Sequence, residues 1–360
     1  MWPRRVASFA EAFTQPRLIG AHQVPRRPVA VFAIAPWAFD GVFPADLLTR
    51  LRQLVDIDPA TTFTSFEGPA AAAALAEADI LLSGWGGPRI DAAVLTAAPR
   101  LRAVIHAAGT VKARVDPVVF DNGLVVSSAA EANAVPVADY TVAMLVLGAK
   151  QAFSRARRYA AAVEDAHGDW FSGEGTGLHG CTVGVIGASR IGRLVLRRLR
   201  AFDVEVLLYD PYVSAAEAAA LGAEPVGMDD ICRRGDLVTV HAPALPETRH
   251  MLDARRLGLL PDGAVVINTA RGSLIDTEAL TAACATGRIS AVLDVTDPEP
   301  LPPGHPLFAL PNVLITPHLA GAQGRETRRL GEFAIAEVSR FVNGAPLLGR
   351  VEPEQLPYIA

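Results

Sequence analysis

The segment that most constrains this chain is Gly187-Ala188-Ser189-Arg190-Ile191-Gly192, which follows the apolar run 182–186 and precedes a second apolar run closed by Asp210. Strand, tight turn, helix and a strand ending in a carboxylate form a unit with a known use. The turn aims backbone N–H groups and the positive end of a helix dipole at a pyrophosphate, and the carboxylate accepts hydrogen bonds from a ribose. NAD is therefore the expected cofactor. The middle glycine of G-x-G-x-x-G is replaced by Ser189. Serine still donates through its N–H and hydroxyl, so the expectation is a slightly displaced pyrophosphate or weaker cofactor binding, not a lost site.

At 360 residues the chain exceeds what one hydrophobic core usually serves, so two domains are expected. From Pro28 onward, short β-rich runs (29–34, 80–83, 103–105, 125–127) alternate with helical patterns at 47–54 and 92–97. That rhythm predicts a parallel sheet with helical crossovers. A long helix is expected from near Asn133 past Gly148, then a glycine-dense linker around Gly168, Trp170, Gly173 and Gly175. Six further strands (182–186, 205–209, 237–241, 264–268, 291–294, 313–315) complete a dinucleotide-binding fold. The helical stretch 325–342 has no strands after it and is expected to cross back onto the first domain. The predicted division is 1–27 as an N-terminal arm, 28–148 with 320–360 as the substrate domain, and 149–319 as the NAD-binding domain, with substrate in the cleft between the two.

Thirty-eight acidic against 33 basic residues, spread along the chain, give a net charge of −5, which offers no argument for nucleic acid or anionic lipid; a small-molecule partner is expected. Cys181, Cys232 and Cys284 lack metal-ligand spacing and read as buried apolar side chains in a reducing compartment, with no metal expected. The longest apolar stretch, 134–147, is interrupted by Asp139 and is too short to span a bilayer, so a soluble, cytoplasmic protein is expected. Five arginines among the first 27 residues, against Glu11 alone, superficially suggest a transit peptide. An arm lying on a neighbouring subunit, or one partly disordered, is preferred.

Three polar residues follow strand ends in the second half: Arg271, Glu299 and His318. In a doubly wound sheet such positions converge at the carboxyl edge. Reduction of a 2-oxo acid needs a cation to hold the carboxylate and polarise the carbonyl, and a proton donor for the oxygen; arginine suits the first task and imidazolium the second. An adjacent carboxylate such as Glu299 fixes the histidine tautomer and orientation.

These signatures, in the order Thr182–Gly187, Asp236–Pro243 with Thr248, Val266–Gly272, Leu293–Val295 with Glu299-Pro300, and Thr316–His318, resemble the D-isomer-specific 2-hydroxyacid dehydrogenase family over roughly 29–342. The resemblance implies an α/β fold of two doubly wound parallel-sheet domains, a Rossmann NAD-binding domain inserted in a flavodoxin-like substrate domain. It implies hydride transfer between NAD(H) and a 2-oxo acid/D-2-hydroxy acid pair by a homodimer. Arg271 would bind the substrate carboxylate and carbonyl, His318 would be the acid/base, and Glu299 would tune His318. Asp294 would meet the nicotinamide carboxamide; Gly187, Ser189, Arg190, Ile191, Asp210, Pro243, Thr248, Thr269 and Ala270 fall where the family contacts NAD. Asp210 in place of a basic residue favours NAD over NADP.

The family seats the substrate carboxylate on backbone N–H groups of a loop matched here by 106–112, so Ala108, Gly109 and Thr110 are the candidate substrate contacts. Val111 and Lys112 depart from the family pattern, which predicts a reshaped seat; Trp85 is expected in the pocket wall, favouring a bulky or aromatic side chain. Two other readings compete. One is a non-catalytic, NAD-sensing corepressor-like protein, and the other a formate-dehydrogenase-like enzyme, which the presence of Glu299 where that branch carries Gln disfavours.

Overall fold

The computed structural model describes residues 26–161, 177–356 and 358. The N-terminal arm up to residue 25 and the glycine-dense stretch 168–175 lie outside the described residues.

The first sheet comprises β1 (Ala30–Ala33), β2 (Ile80–Ser83), β3 (Ala103–His106) and β4 (Val125–Ser128), side by side in that order and all parallel. Its helices are α1 (Pro36–Val42), α2 (Ala45–Arg52), α3 (Pro69–Glu77), α4 (Ala92–Ala97) and α5 (Val118–Asp121). The strands are continuous apolar runs because both faces are covered. Ala30 and Phe32 face Leu47 and Leu51 of α2 and the C-terminal helix; Val31, Leu81 and Val104 face Leu75 of α3 and Val94 of α4. Parallel bridges Val29–Asp56 and Phe32–Thr62 place the segment 56–62 on the free side of β1. The resulting spatial order is flavodoxin-like, with its switch point between β1 and β2.

The chain leaves β4 through α6 (Ala130–Ala149) and α7 (Ala152–Ala161). The second sheet then forms from β5 (Cys181–Ile186), α8 (Arg190–Leu199), β6 (Val204–Tyr209), α9 (Ala215–Leu221), β7 (Glu224–Pro225), α10 (Met228–Arg234), β8 (Leu237–Val240), α11 (Ala254–Leu259), β9 (Val265–Asn268), α12 (Thr277–Ala285), β10 (Ser290–Leu293) and β11 (Val313–Ile315). All seven strands are parallel, in the order β11-β10-β9-β8-β5-β6-β7. This is the dinucleotide-binding order, switching between β5 and β8. Sequence reading found six strands; β7, two exposed residues ending in a proline, has no apolar pattern to betray it.

Helix α6 starts at Ala130, earlier than expected, with Pro136 inside it. Its 20 residues make it long and apolar enough, by length and composition, to cross a membrane, which corrects the reading of that run as too short; half of its most apolar window is buried inside the protein. It packs on α8, β8, β9 and β10. The last helix, α13 (Thr327–Val342), lies against α1, α2 and β3 of the first sheet. Gly331 permits that contact, because a Cβ there would meet the Val42 carbonyl at 1.8 Å.

Candidate active site

At the switch point the loops after β5 and β8 touch. Gly187 has φ +95°, and a Cβ there would meet the Ala242 backbone nitrogen at 2.7 Å. Gly192 is equally constrained, since a Cβ would lie 2.0 Å from the Gly187 carbonyl oxygen. Both positions require glycine. Ser189 does not require it: its φ is −62°, and its hydroxyl caps α8 by accepting from the Gly192 N–H at 3.3 Å. The substitution thus supplies a preferred N-cap residue without backbone strain.

Among the described residues, the N–H groups of Ser189, Arg190 and Ile191 donate to no protein acceptor. Together with the start of a ten-residue helix, they fit a pyrophosphate. Asp210 accepts from the Ala188 N–H at 2.7 Å and the Tyr212 N–H at 2.8 Å, one on each carboxylate oxygen. Each oxygen keeps a lone pair for a ribose hydroxyl. Behind this crevice His241 is buried, and its Nδ1 has no hydrogen-bond partner among the described residues. Burial pushes its pKa down to about 3, so the ring is neutral. These features fit a dinucleotide.

The remaining predicted cofactor contacts have protein partners. Arg190 pairs with Glu131 of α6 at 2.6 Å. Thr248 donates to the Pro243 carbonyl at 2.6 Å and accepts from the Leu245 N–H at 2.9 Å, which fixes the turn carrying Pro243. The Thr269 hydroxyl meets Thr141 of α6 at 2.9 Å, and Asn268 holds the Thr269–Arg271 turn by accepting from the Ala270 N–H and donating to the Arg271 carbonyl.

Arg271, Glu299 and His318 come together at the carboxyl edge of β9, β10 and β11. The loops press close: a Cβ at Gly272 would lie 2.0 Å from the Thr296 carbonyl. Arg271 is half-buried, and burial pushes its pKa down, while the charge of Glu299 acts in the opposite sense. His318 Nδ1 is 2.6 Å from Glu299 Oε1, with the imidazole half exposed. A carboxylate accepts only, so Nδ1 carries the hydrogen of that bond and Nε2 is the nitrogen left to face a ligand.

The His318 backbone sits in the left-handed region at φ +53°, a conformation costing about 1–2 kcal/mol for a residue with a Cβ. Asp294 enforces it. Its buried carboxylate accepts from the Thr316 hydroxyl at 2.7 Å, the Leu319 N–H at 2.8 Å and the Ala320 N–H at 2.9 Å, while its carbonyl accepts from the His318 N–H at 3.0 Å. A carboxylate offers about four acceptor positions, so one remains on Oδ2.

The loop after β3 has a matching character. Among the described residues, the N–H groups of Ala108, Gly109, Thr110 and Val111 donate to no protein acceptor. Successive unpaired backbone donors form an anion cradle. Val111, expected to reshape this seat, is fully buried in the core with Val115 and Val119. Trp85 lies at the first sheet's switch point, its ring stacked on that of Trp37 with centroids 6.3 Å apart and planes at 15°. Trp37 is 75% exposed.

Sequence reading missed the residues that join these parts. Asn133 accepts from the Ala322 N–H at 3.0 Å and lies against Gly109, so it links the cradle to the chain just after His318. Tyr140 meets the Thr316 hydroxyl at 2.8 Å. The two sit seven positions apart on α6, hence on one face; that spacing was the available signal.

Comparison with known proteins gives the family. Residues 144–320 match the model of the D-isomer specific 2-hydroxyacid dehydrogenase NAD binding domain. A glyoxylate reductase of Thermofilum pendens is 33% identical over 259 residues, 71% of this chain and 76% of that protein. A D-3-phosphoglycerate dehydrogenase of Mycobacterium tuberculosis is 38% identical over 261 residues, 72% of this chain and 48% of the relative; the chain spans about half the length of the phosphoglycerate dehydrogenases it matches. A crystal structure of a Thermus thermophilus protein superposes with a TM-score of 0.69 at 31% identity, covering 90% of this chain and 99% of that one. With a glycine turn, switch-point crevice and strand-end residues arranged as above, the chain belongs to the D-isomer-specific 2-hydroxyacid dehydrogenase family and carries its NAD-binding domain.

Proposed function

We propose that this protein is an NAD-dependent D-2-hydroxyacid dehydrogenase that interconverts a 2-oxo acid and a D-2-hydroxy acid. The observation that carries the reading is the 2.6 Å contact between His318 Nδ1 and Glu299 Oε1 beside the guanidinium of Arg271. When bound, NADH supplies the hydride. Arg271 holds the substrate carboxylate and polarises the carbonyl, and the N–H groups of 108–111 take the remaining negative charge of the carboxylate. His318 delivers a proton from Nε2 to the carbonyl oxygen while Glu299 keeps Nδ1–H in place; in the reverse direction Nε2 takes the proton back. The open acceptor position on Asp294 suits one N–H of a carboxamide.

Trp85 and the stacked Trp37 offer an apolar wall, which favours bulky or aromatic side chains among 2-oxo acids. The reading includes a substrate domain of 28–148 with 320–360, an NAD-binding domain of 149–319, and a cytoplasmic homodimer, whose mass light scattering would give.

The test is NADH oxidation with glyoxylate, hydroxypyruvate, pyruvate, phenylpyruvate and branched 2-oxo acids. At least one is expected to be reduced, and His318→Ala is expected to lower kcat on it by about 10²–10⁴-fold with little change in NADH affinity. A wild-type chain that binds NADH and reduces none, or a His318→Ala variant with near-normal turnover, would overturn the assignment.

A further inference from the structure

Helix α6 packs along β9, the strand that leads to Arg271. Where β9 begins, a Cβ at Gly148 would sit 3.3 Å from Val265 Cγ1. Just past its end, Thr269 Oγ1 meets Thr141 Oγ1 at 2.9 Å, two residues before Arg271. Both threonines are buried. Thr141 Oγ1 also lies 2.8 Å from the Val137 carbonyl, one turn back on the helix, and a carbonyl can only accept. Thr141 has one hydroxyl hydrogen, so the arrangement that satisfies both contacts sends it to Val137 and makes Thr269 the donor to Thr141.

The turn that follows is closed on itself. The Asn268 side chain accepts from the Ala270 N–H at 3.0 Å and donates to the Arg271 carbonyl at 2.8 Å, and Arg271 Nη1 donates to the Ala270 carbonyl at 2.6 Å. These bonds set the shape of the turn and tie the guanidinium to it. The Thr269–Thr141 bond references that shape to α6. The preceding residue of α6, Tyr140, meets the Thr316 hydroxyl at 2.8 Å, in the loop that carries His318. Adjacent residues of one helix therefore hold the loop of the guanidinium and the loop of the imidazole.

We infer that Thr141 is a positioning residue: by accepting from the Thr269 hydroxyl it fixes the Arg271 turn on α6 and so sets where the guanidinium stands relative to His318. The inference rests on the dehydrogenase reading for the identity of the carboxylate that Arg271 binds. It assigns Thr141 no contact with substrate or cofactor.

Oxamate, an unreactive carboxylate that resembles a 2-oxo acid, titrated into the NADH-loaded full chain reads the Arg271 side of the site without turnover. Thr141→Val keeps the branched shape and removes the acceptor; it is expected to weaken oxamate by about fivefold and to lower kcat/KM on the oxo acid by about tenfold, with NADH affinity within about twofold. Thr141→Ser, which keeps the hydroxyl and loses the methyl group, is expected to stay within about twofold of the wild type in all three. A role in packing alone would give the reverse order, because valine fills the site and serine leaves a gap. In an Arg271→Lys background, which already lacks the guanidinium fork, Thr141→Val is expected to change kcat/KM by less than about twofold. If Thr141→Val does not fold, Thr269→Val removes the donor while Thr141 keeps its bond to Val137, and the same loss of oxamate relative to NADH is expected. Thr141→Val as active as the wild type, Thr141→Ser as impaired as Thr141→Val, an undiminished loss in the Arg271→Lys background, oxamate weakened only in parallel with NADH, or no oxamate affinity in the wild-type chain overturns the positioning role. A wild-type chain that binds oxamate yet reduces no 2-oxo acid overturns the dehydrogenase reading instead.

Discussion

Arg271, Glu299 and His318 were legible because each follows a strand end in a sequence whose strands announce themselves as apolar runs, and doubly wound sheets gather such positions at one edge. For Asp294 the resemblance implied only a ligand contact. Its carboxylate holds the Thr316 hydroxyl and two backbone N–H groups of the loop that keeps His318 at φ +53°, and nothing in one-dimensional spacing reveals such a clamp. Asp294→Ala leaves those donors without an acceptor, at a cost of about 1–3 kcal/mol for a buried polar group. Urea unfolding is expected to show a loss of about 2–4 kcal/mol, and kcat is expected to fall further than NADH affinity; an unchanged midpoint would refute the clamp.

Among the elements, α8 and α6 carry consequences of their own. Ser189 stands where a glycine was expected and caps α8. Ser189→Ala is expected to cost about 1 kcal/mol and Ser189→Gly only a few tenths. Because the serine backbone is already in an ordinary region, Ser189→Gly is expected to leave NADH affinity within about twofold; fluorescence titration showing a tenfold gain would mean that the hydroxyl crowds the pyrophosphate, as the sequence alone suggested. On α6, the Thr316 hydroxyl donates to Asp294, so the Tyr140 hydroxyl must be the donor to Thr316. Its pKa is raised chiefly by burial, which keeps the phenol protonated. Tyr140→Phe is expected to cost about 1 kcal/mol and to lower kcat a few-fold, with NADH affinity intact. A variant that loses NADH binding instead would show that α6 acts on the cofactor and not on the His318 loop.

For the whole molecule, two buried imidazoles set an acid limit. His106 and His241 are neutral in the fold, with pKa values pushed down from the ordinary 6.5 to about 4 and about 3, mainly by burial. Between those values and 6.5 the unfolded chain binds more protons than the folded one, so stability rises with pH across this window. The contribution is fully present above pH about 6.5 and is lost as pH falls toward 4 and 3, by about 3 kcal/mol for His106 and about 5 kcal/mol for His241 at the low end. Melting temperature is therefore expected to fall steadily from pH 6.5 to pH 4, and a His106→Gln, His241→Gln double variant is expected to flatten that slope. A slope that survives in the double variant would place the sensitivity elsewhere.

The sequence by itself determined the α/β class, the strand-turn-helix-carboxylate unit and the identity of the three polar strand-end residues, because hydrophobic period and glycine placement are local properties. Only the tertiary structure decided what joins them. Asn133 touches both the cradle and Ala322, Tyr140 reaches Thr316, and His106 reaches Ser83; these partners lie 23 to 189 positions apart in the chain. The Asn133 and Tyr140 contacts exist because loops of both sheets meet the same helix, α6, and the His106–Ser83 contact because β3 pairs with β2 in register; a hydrogen bond between such distant residues depends on ångström-scale packing that spacing along a chain does not encode.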